Sequence, residues 1–313
     1  MKTPDILGHG LTQETLELGS DDEGPVVATL VSRACASGSS RALLYLHGYN
    51  DYFFNTELAD RVNAEGLDFY ALDLRKYGRS LREGQTPGYV EDITTYYEEL
   101  DAAIDRIRGR DGHRHLTLMG HSTSGLTATL YAADRPGVDA LILNSPFFDM
   151  AGTWMAEFVA EHLLAAVGKL RPRTLVRKEG PPYYAWSLHR DFGRGGEWSY
   201  NLEWKRERSM PSYAGWMRAV VKGQERVQHG LELSCPSLVM YSSASSTLDE
   251  WDEQRAFTSD IILDVADMDR YADGLRPRPT ELRVAGGMHD LLLSRPDVRA
   301  EVYRQLLAWL AEA

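Results

Sequence analysis

The sequence predicts an α/β protein, a mostly parallel central sheet flanked by helices, with a helical insertion. Three observations predict it. Short β-rich runs alternate with stretches of helical periodicity, as happens when parallel strands are joined by crossover helices. These runs stop between about residues 149 and 234, where aromatic residues gather, and then resume. Finally, Gly120-His121-Ser122-Thr123-Ser124-Gly125 stands where one strand pattern gives way to a helical one.

The elements follow in order. Behind the acidic turn Ser20-Asp21-Asp22-Glu23-Gly24, residues 26–32 read as an early strand. Residues 42–46 form a compact apolar run ending at His47-Gly48, and residues 67–74 form another before a glycine-containing loop through Ser80. Over residues 90–108, Ile93, Tyr97, Leu100, Ile104 and Ile107 share one helical face. A short strand at 116–119 leads into a helix over 126–133, and residues 138–143 complete the series before Asn144-Ser145-Pro146. Strand signals return at 236–241 and 281–284, with a helix over 296–310. This divides the chain into a core in two parts, residues 1–148 and 235–313, with a helical cap over 149–234. Five of the seven tryptophans, Trp154, Trp186, Trp198, Trp204 and Trp216, fall in that insertion.

Bulk properties exclude several classes of partner. A formal net charge of −12 argues against a nucleic-acid backbone or an anionic membrane surface. No segment approaches the roughly 20 apolar residues needed to cross a bilayer. Residues 1–10 lack a basic region followed by an apolar one, so no secretory signal is expected. Cys35 and Cys235 suit neither a disulfide framework nor a metal site, which makes a reducing cytoplasm the expected compartment.

The chemistry centres on Ser122. A nucleophile elbow is a sharp strand-to-helix turn in which the residues two before and two after the nucleophile must be small. Gly120 and Ser124 fill those places, Ser124 standing where glycine is commoner. Taking Ser124 as nucleophile instead would put Leu126 in the crowded position. A phosphate loop is a poor rival, because Leu126 stands where that motif needs lysine. A plain helix-capping serine is the simpler alternative.

A serine hydroxyl needs a base to take its proton. Of nine histidines, His9, His113 and His115 lie in polar, surface-like contexts. His47 and His121 belong to tight turns, where structural hydrogen bonding is expected, and His162, His189 and His229 fall in the insertion. His289, in Ala285-Gly286-Gly287-Met288-His289-Asp290 after the last strand, is the expected base. The acid should follow the preceding strand. Asp260 is the favoured candidate, since the interval to His289 has room for one helix and one strand. Asp264 is the alternative acid, although it could instead cap the next helix, and Asp149 is a further possibility. The expected oxyanion donors are the backbone N–H groups of Thr123 and Tyr49.

Leu46-His47-Gly48-Tyr49, Asp73-Leu74-Arg75-Lys76-Tyr77-Gly78-Arg79-Ser80, the Ser122 elbow and Gly287-Met288-His289-Asp290 occur in this order. Together they resemble the α/β-hydrolase branch that contains monoacylglycerol lipases, lysophospholipases and serine aminopeptidases. The resemblance implies an α/β-hydrolase fold, a helical cap over the active site, and catalysis without metal or organic cofactor. The two departures are Ser124 and the long stretch over 242–259 before the expected acid.

The leading expectation is a carboxylic-ester hydrolase acting through an acyl-enzyme on a small-molecule substrate, an apolar acyl ester admitted under the cap. An amino- or iminopeptidase is the alternative, with Glu203 or Glu207 available for a substrate ammonium group. A ligand-binding protein on a hydrolase scaffold is a third reading. Dehalogenase and epoxide hydrolase chemistry would require a carboxylate where Ser122 stands.

Overall fold

The computed structural model describes residues 2–150 and 171–313. Its main sheet has nine strands: β1 (Thr3–Pro4), β2 (Thr12–Asp21), β3 (Gly24–Arg33), β4 (Arg41–Leu46), β5 (Asp68–Asp73), β6 (His115–His121), β7 (Ala140–Asn144), β8 (Ser237–Ser242) and β9 (Thr280–Val284). Their spatial order is β1-β2-β3-β5-β4-β6-β7-β8-β9. From β5 through β9 every pairing is parallel, whereas β1, β2 and β3 join antiparallel. The acidic turn at Asp22-Glu23 links β2 to β3 as a hairpin, with Asp21 opposite Gly24. The sequence reading gave no strand to residues 12–21. Their Thr-Gln-Glu-Thr-Leu-Glu-Leu run alternates, but its polar members outnumber the apolar ones and mask the period.

Parallel strands need crossovers, and the helices supply them on both faces. On one face lie α1 (Thr56–Ala64) and α6 (Pro296–Glu312). Leu58, Val62, Val302, Tyr303, Leu306 and Leu310 pack there against Leu43, Phe69, Met119 and Met240 of the sheet. The other face carries α2 (Tyr97–Ile104), α3 (Thr123–Asp134), α4 (Ala214–Gln228) and α5 (Val265–Ala272), packed over Leu44, Leu46, Leu118, Leu143 and Val239. All five residues of the expected helical face at 90–108 are buried. The chain there is a 3-10 turn, then α2, then one π-helical turn over Asp105–Arg110. Fully burying a side chain such as Leu100 or Leu118 stabilises the fold by about 1.5–3 kcal/mol.

Among the described residues of the insertion, helix is a minor part. Residues 171–213 hold a six-residue helix (Tyr183–Leu188), a short 3-10 turn, and a small ribbon pairing Leu175–Arg177 with Ser212–Tyr213. Pro181-Pro182 and the glycines at 193, 195 and 196 explain why helices stay short. The longer helix α4 presents Gly223 against Leu126 and Leu130 of α3 and buries Trp216, Met217 and Val220 in the core. The expected boundary at 234 therefore includes a helix that packs as part of the core. Trp154 and His162 lie outside the described residues.

Several insertion aromatics share one location. Leu188, Tyr200, Tyr184, Trp198 and Trp204 cluster with Tyr52 and Phe54 of the loop after β4, and with Met288 and Leu293 of the loop after β9. Both loops leave the sheet at its carboxyl edge, where ligands bind in open α/β sheets.

Candidate active site

Ser122 sits between β6 and α3 with φ 55° and ψ −117°, a conformation that a non-glycine residue adopts only when its surroundings impose it. The surroundings do so through main-chain bonds. Ser122 N–H donates to Asn144 O at 3.0 Å, and Ser122 O accepts from Phe147 N–H at 3.0 Å. The turn is also crowded. A Cβ on Gly120 would stand 2.3 Å from Ser124 O, and one on Gly125 would stand 2.8 Å from Pro146 Cα. Ser124 is buried in the first turn of α3, and it is its carbonyl oxygen that faces Gly120. Gly120→Ala is expected to force strand and helix apart and to cost at least about 3 kcal/mol, the upper end for overpacking. Denaturant unfolding would read this as a lowered midpoint, and an unchanged midpoint would refute the crowding argument.

The structure brings His289 to Ser122. Its Nε2 lies 3.1 Å from Ser122 Oγ, and its Nδ1 lies 2.8 Å from Asp260 Oδ2. All three residues are buried. The geometry matches an imidazole that donates through Nδ1–H to the carboxylate and accepts the serine proton at Nε2. The other carboxylate oxygen, Asp260 Oδ1, accepts from the N–H groups of Ile262 and Leu263, both at 2.8 Å.

The long stretch before Asp260 is an excursion that closes on itself. After β8 the chain passes through a short helix (Glu253–Thr258) and returns to pair with its own beginning. Asp260 N–H donates to Ala244 O at 2.9 Å, and Ser246 N–H donates to Asp260 O at 2.8 Å. The two alternative acids lie elsewhere. Asp264 caps α5 through Ala266 N–H, and Asp149 accepts from Tyr271 Oη at 3.0 Å. Both sit near Asp267, whose pKa rises to about 6 from burial first and then from these two carboxylates.

Other histidines have structural partners. His47 accepts from Leu74 N–H at Nε2 and donates through Nδ1 to Gly48 O. His189 lies against Tyr200 O and Asp191 N–H. His113 departs from its surface-like reading: it is buried, with Tyr70 Oη 2.9 Å and Asp68 Oδ2 3.3 Å from its Nε2. Its sequence neighbours are polar, but side chains of β5 cover it. Burial holds the His121 pKa below its usual range, despite the opposing Asp290 carboxylate. Its ring centroid lies 4.9 Å from that of His289.

The expected oxyanion donors are Thr123 and Tyr49. Thr123 is the first residue of α3, where an N–H has no acceptor within the helix. Gly48, next to Tyr49, lies so close that a Cβ there would stand 3.1 Å from Ser122 Cβ. The Tyr49 side chain packs on Trp216 and donates to Pro211 O.

Sequence reasoning named Asn144 and Asp290 without giving them a task. Asn144 O takes the Ser122 N–H, and its side chain reaches the base loop. Nδ2 donates to Asp290 Oδ1 at 2.7 Å, and Oδ1 accepts from Leu291 N–H at 3.3 Å. One residue thus fixes the nucleophile turn and the segment after His289 together. An Asn-Ser-Pro run closing the strand beside the elbow was the only available signal.

The sequence model of the family described as serine aminopeptidase, S33, matches residues 38–261, a span that holds the elbow and Asp260. This chain belongs to that family. Its α/β-hydrolase fold is shared by solved structures of low sequence identity. The monoglyceride lipase of Saccharomyces cerevisiae, solved as a soluble variant with a substrate analog, is 14% identical with a TM-score of 0.68 over 96% of each chain. The monoacylglycerol lipase of Paleococcus ferrophilus is 17% identical with a TM-score of 0.64, covering 96% of this chain and 98% of that one. DcsB, solved with its substrate analogue, is 15% identical with a TM-score of 0.65 over 96% and 98%. Among the described residues of this S33 family member, no helix is long and apolar enough to cross a membrane.

Proposed function

We propose that this chain is a serine hydrolase that cleaves a carboxylic ester through an acyl-enzyme, with Ser122 as nucleophile, His289 as base and Asp260 as its orienting acid. The observation that carries the reading is the unbroken hydrogen-bond chain from Ser122 Oγ through His289 to Asp260. In the first step His289 Nε2 takes the Ser122 proton as Oγ attacks the ester carbonyl. The N–H groups of Thr123 and Tyr49 receive the developing oxyanion. His289 then gives the proton to the leaving alcohol, and water activated by the same imidazole releases the acid.

The segment after β7 serves in this reading as a cap whose aromatic residues wall the acyl site. The Tyr184 ring, edge-on to His289 with centroids 5.6 Å apart, supports that role. An ester is favoured over a peptide amine because neither candidate carboxylate is both buried and free to receive an ammonium group. Glu203 is exposed, and Glu207 accepts from Trp186 Nε1 at 2.7 Å.

The test is a panel of p-nitrophenyl esters of increasing acyl length, run beside aminoacyl and prolyl amides. Esters should give a nitrophenol burst equal in amount to the enzyme, and amides should be slow. Saturable ligand binding with no burst would favour a non-catalytic protein on this scaffold, and rapid amide cleavage would favour a peptidase.

A further inference from the structure

The loop that carries the proposed Tyr49 donor is stitched residue by residue to residues 201–211. Tyr49 Oη donates to Pro211 O at 2.9 Å. Asn50 exchanges two bonds with Arg206: its Nδ2 donates to Arg206 O at 2.8 Å, and its Oδ1 accepts from Arg206 N–H at 3.1 Å. Lys205 Nζ donates to Asp51 Oδ1 at 2.8 Å. Tyr52 Oη accepts from Asn201 N–H at 2.8 Å. Four consecutive loop residues are thus held from one side by one stretch of chain.

Only one of these ties is ionic. The side chains of Lys205 and Asp51 are 5% and 3% exposed. The ammonium lies 5.6, 5.4 and 5.6 Å from the ring centroids of Phe54, Tyr184 and Tyr200. A single neutral hydrogen bond contributes modestly, but separating a buried ion pair strands a charge among aromatic rings. Lys205 is therefore the tie that resists opening. Between Asp51 and Tyr49 stands Asn50 with φ 52°, a left-handed residue that fixes how the chain leaves Tyr49 toward Asp51 and must be held in place.

We propose that Lys205 is a positioning residue for the oxyanion hole. By fixing Asp51 it holds the left-handed turn at Asn50, and with it the loop backbone that carries the Gly48–Tyr49 peptide and so the Tyr49 N–H. The overhanging segment thereby governs whether the oxyanion hole is assembled. The inference rests on the Ser122 hydrolase reading above. An oxyanion donor acts only when it meets the developing charge at hydrogen-bond distance, so a small pivot of this loop removes its contribution.

The test compares the unaltered protein with Lys205→Met and with the double variant Lys205→Met/Asp51→Asn, which leaves no unpaired buried charge. Each is assayed on p-nitrophenyl butyrate and on its thionoester, whose sulfur accepts hydrogen bonds poorly. Rates are divided by burst amplitude, so any unfolded fraction drops out, and the double variant carries the test if the single one fails to accumulate. Both variants should lose about 10²-fold in kcat on the oxygen ester, the scale for one oxyanion donor. KM should change little, and the thionoester rate should fall far less. Equal losses on both esters, or full recovery in the double variant, would overturn the inference while leaving the hydrolase reading intact. Absence of any burst from the unaltered protein would overturn both.

Discussion

Ser122→Ala is expected to abolish acyl turnover, with a loss in kcat on the order of 10⁶-fold, the scale seen when a serine protease loses its nucleophile. Among the described residues the side chain has one polar partner, His289 Nε2, and the elbow is held by main-chain bonds that alanine keeps. Removing the hydroxyl therefore deletes the reacting atom and little else. Thermal unfolding should shift by no more than a few degrees, as expected for loss of one modest hydrogen bond. A fluorophosphonate should label the unaltered protein at Ser122 and leave the alanine variant unmarked. Labelling that persists in the variant would assign the nucleophile elsewhere.

Asp260→Asn should produce the next largest loss, about 10⁴-fold in kcat, because the imidazole would be held in the wrong tautomer. Asparagine can still accept the Ile262 and Leu263 N–H groups at Oδ1, so the loop should keep its shape. Its Nδ2 would then face His289 Nδ1, donor against donor, unless the ring moves its proton to Nε2. A protonated Nε2 cannot accept the Ser122 proton. Asp264→Asn is the built-in control. Asparagine caps a helix as well as aspartate does, so activity should stay near that of the unaltered protein. A large loss at Asp264 with little at Asp260 would reassign the acid.

The sheet was legible because parallel strands buried on both faces leave compact apolar runs, as in residues 42–46 and 138–143. The elbow was legible because crowding dictates small residues at fixed spacing, and Gly120 obeys that demand to the ångström. Asp260 could be favoured over Asp264 from position alone, but only its parallel bridge to Ser245 explains how so long a loop returns to the site. Lys205 and Asp51 left no trace in the sequence. They are 154 positions apart, and an isolated Lys in Trp-Lys-Arg-Glu-Arg reads as one more solvated charge. His113 was hidden for the same reason, since the residues that bury it come from a strand some 40 positions earlier. Local chemistry writes itself into sequence, whereas a partner supplied by the fold does not.

The strand order also sets a timetable for the newborn chain. The proposed nucleophile, Ser122, belongs to the first half of the sequence, and the proposed base, His289, follows 167 positions later. Synthesis delivers the amino-terminal part first, and contacts of such long range form late. When β6 and the elbow have left the ribosome, the strands β8 and β9 that bring the acid and the base have yet to be made. On the proposed triad the nascent chain would carry an inert hydroxyl, and reactivity would arrive only when β8 docks onto β7 and β9 onto β8. Cleavage competence becomes a report of finished assembly.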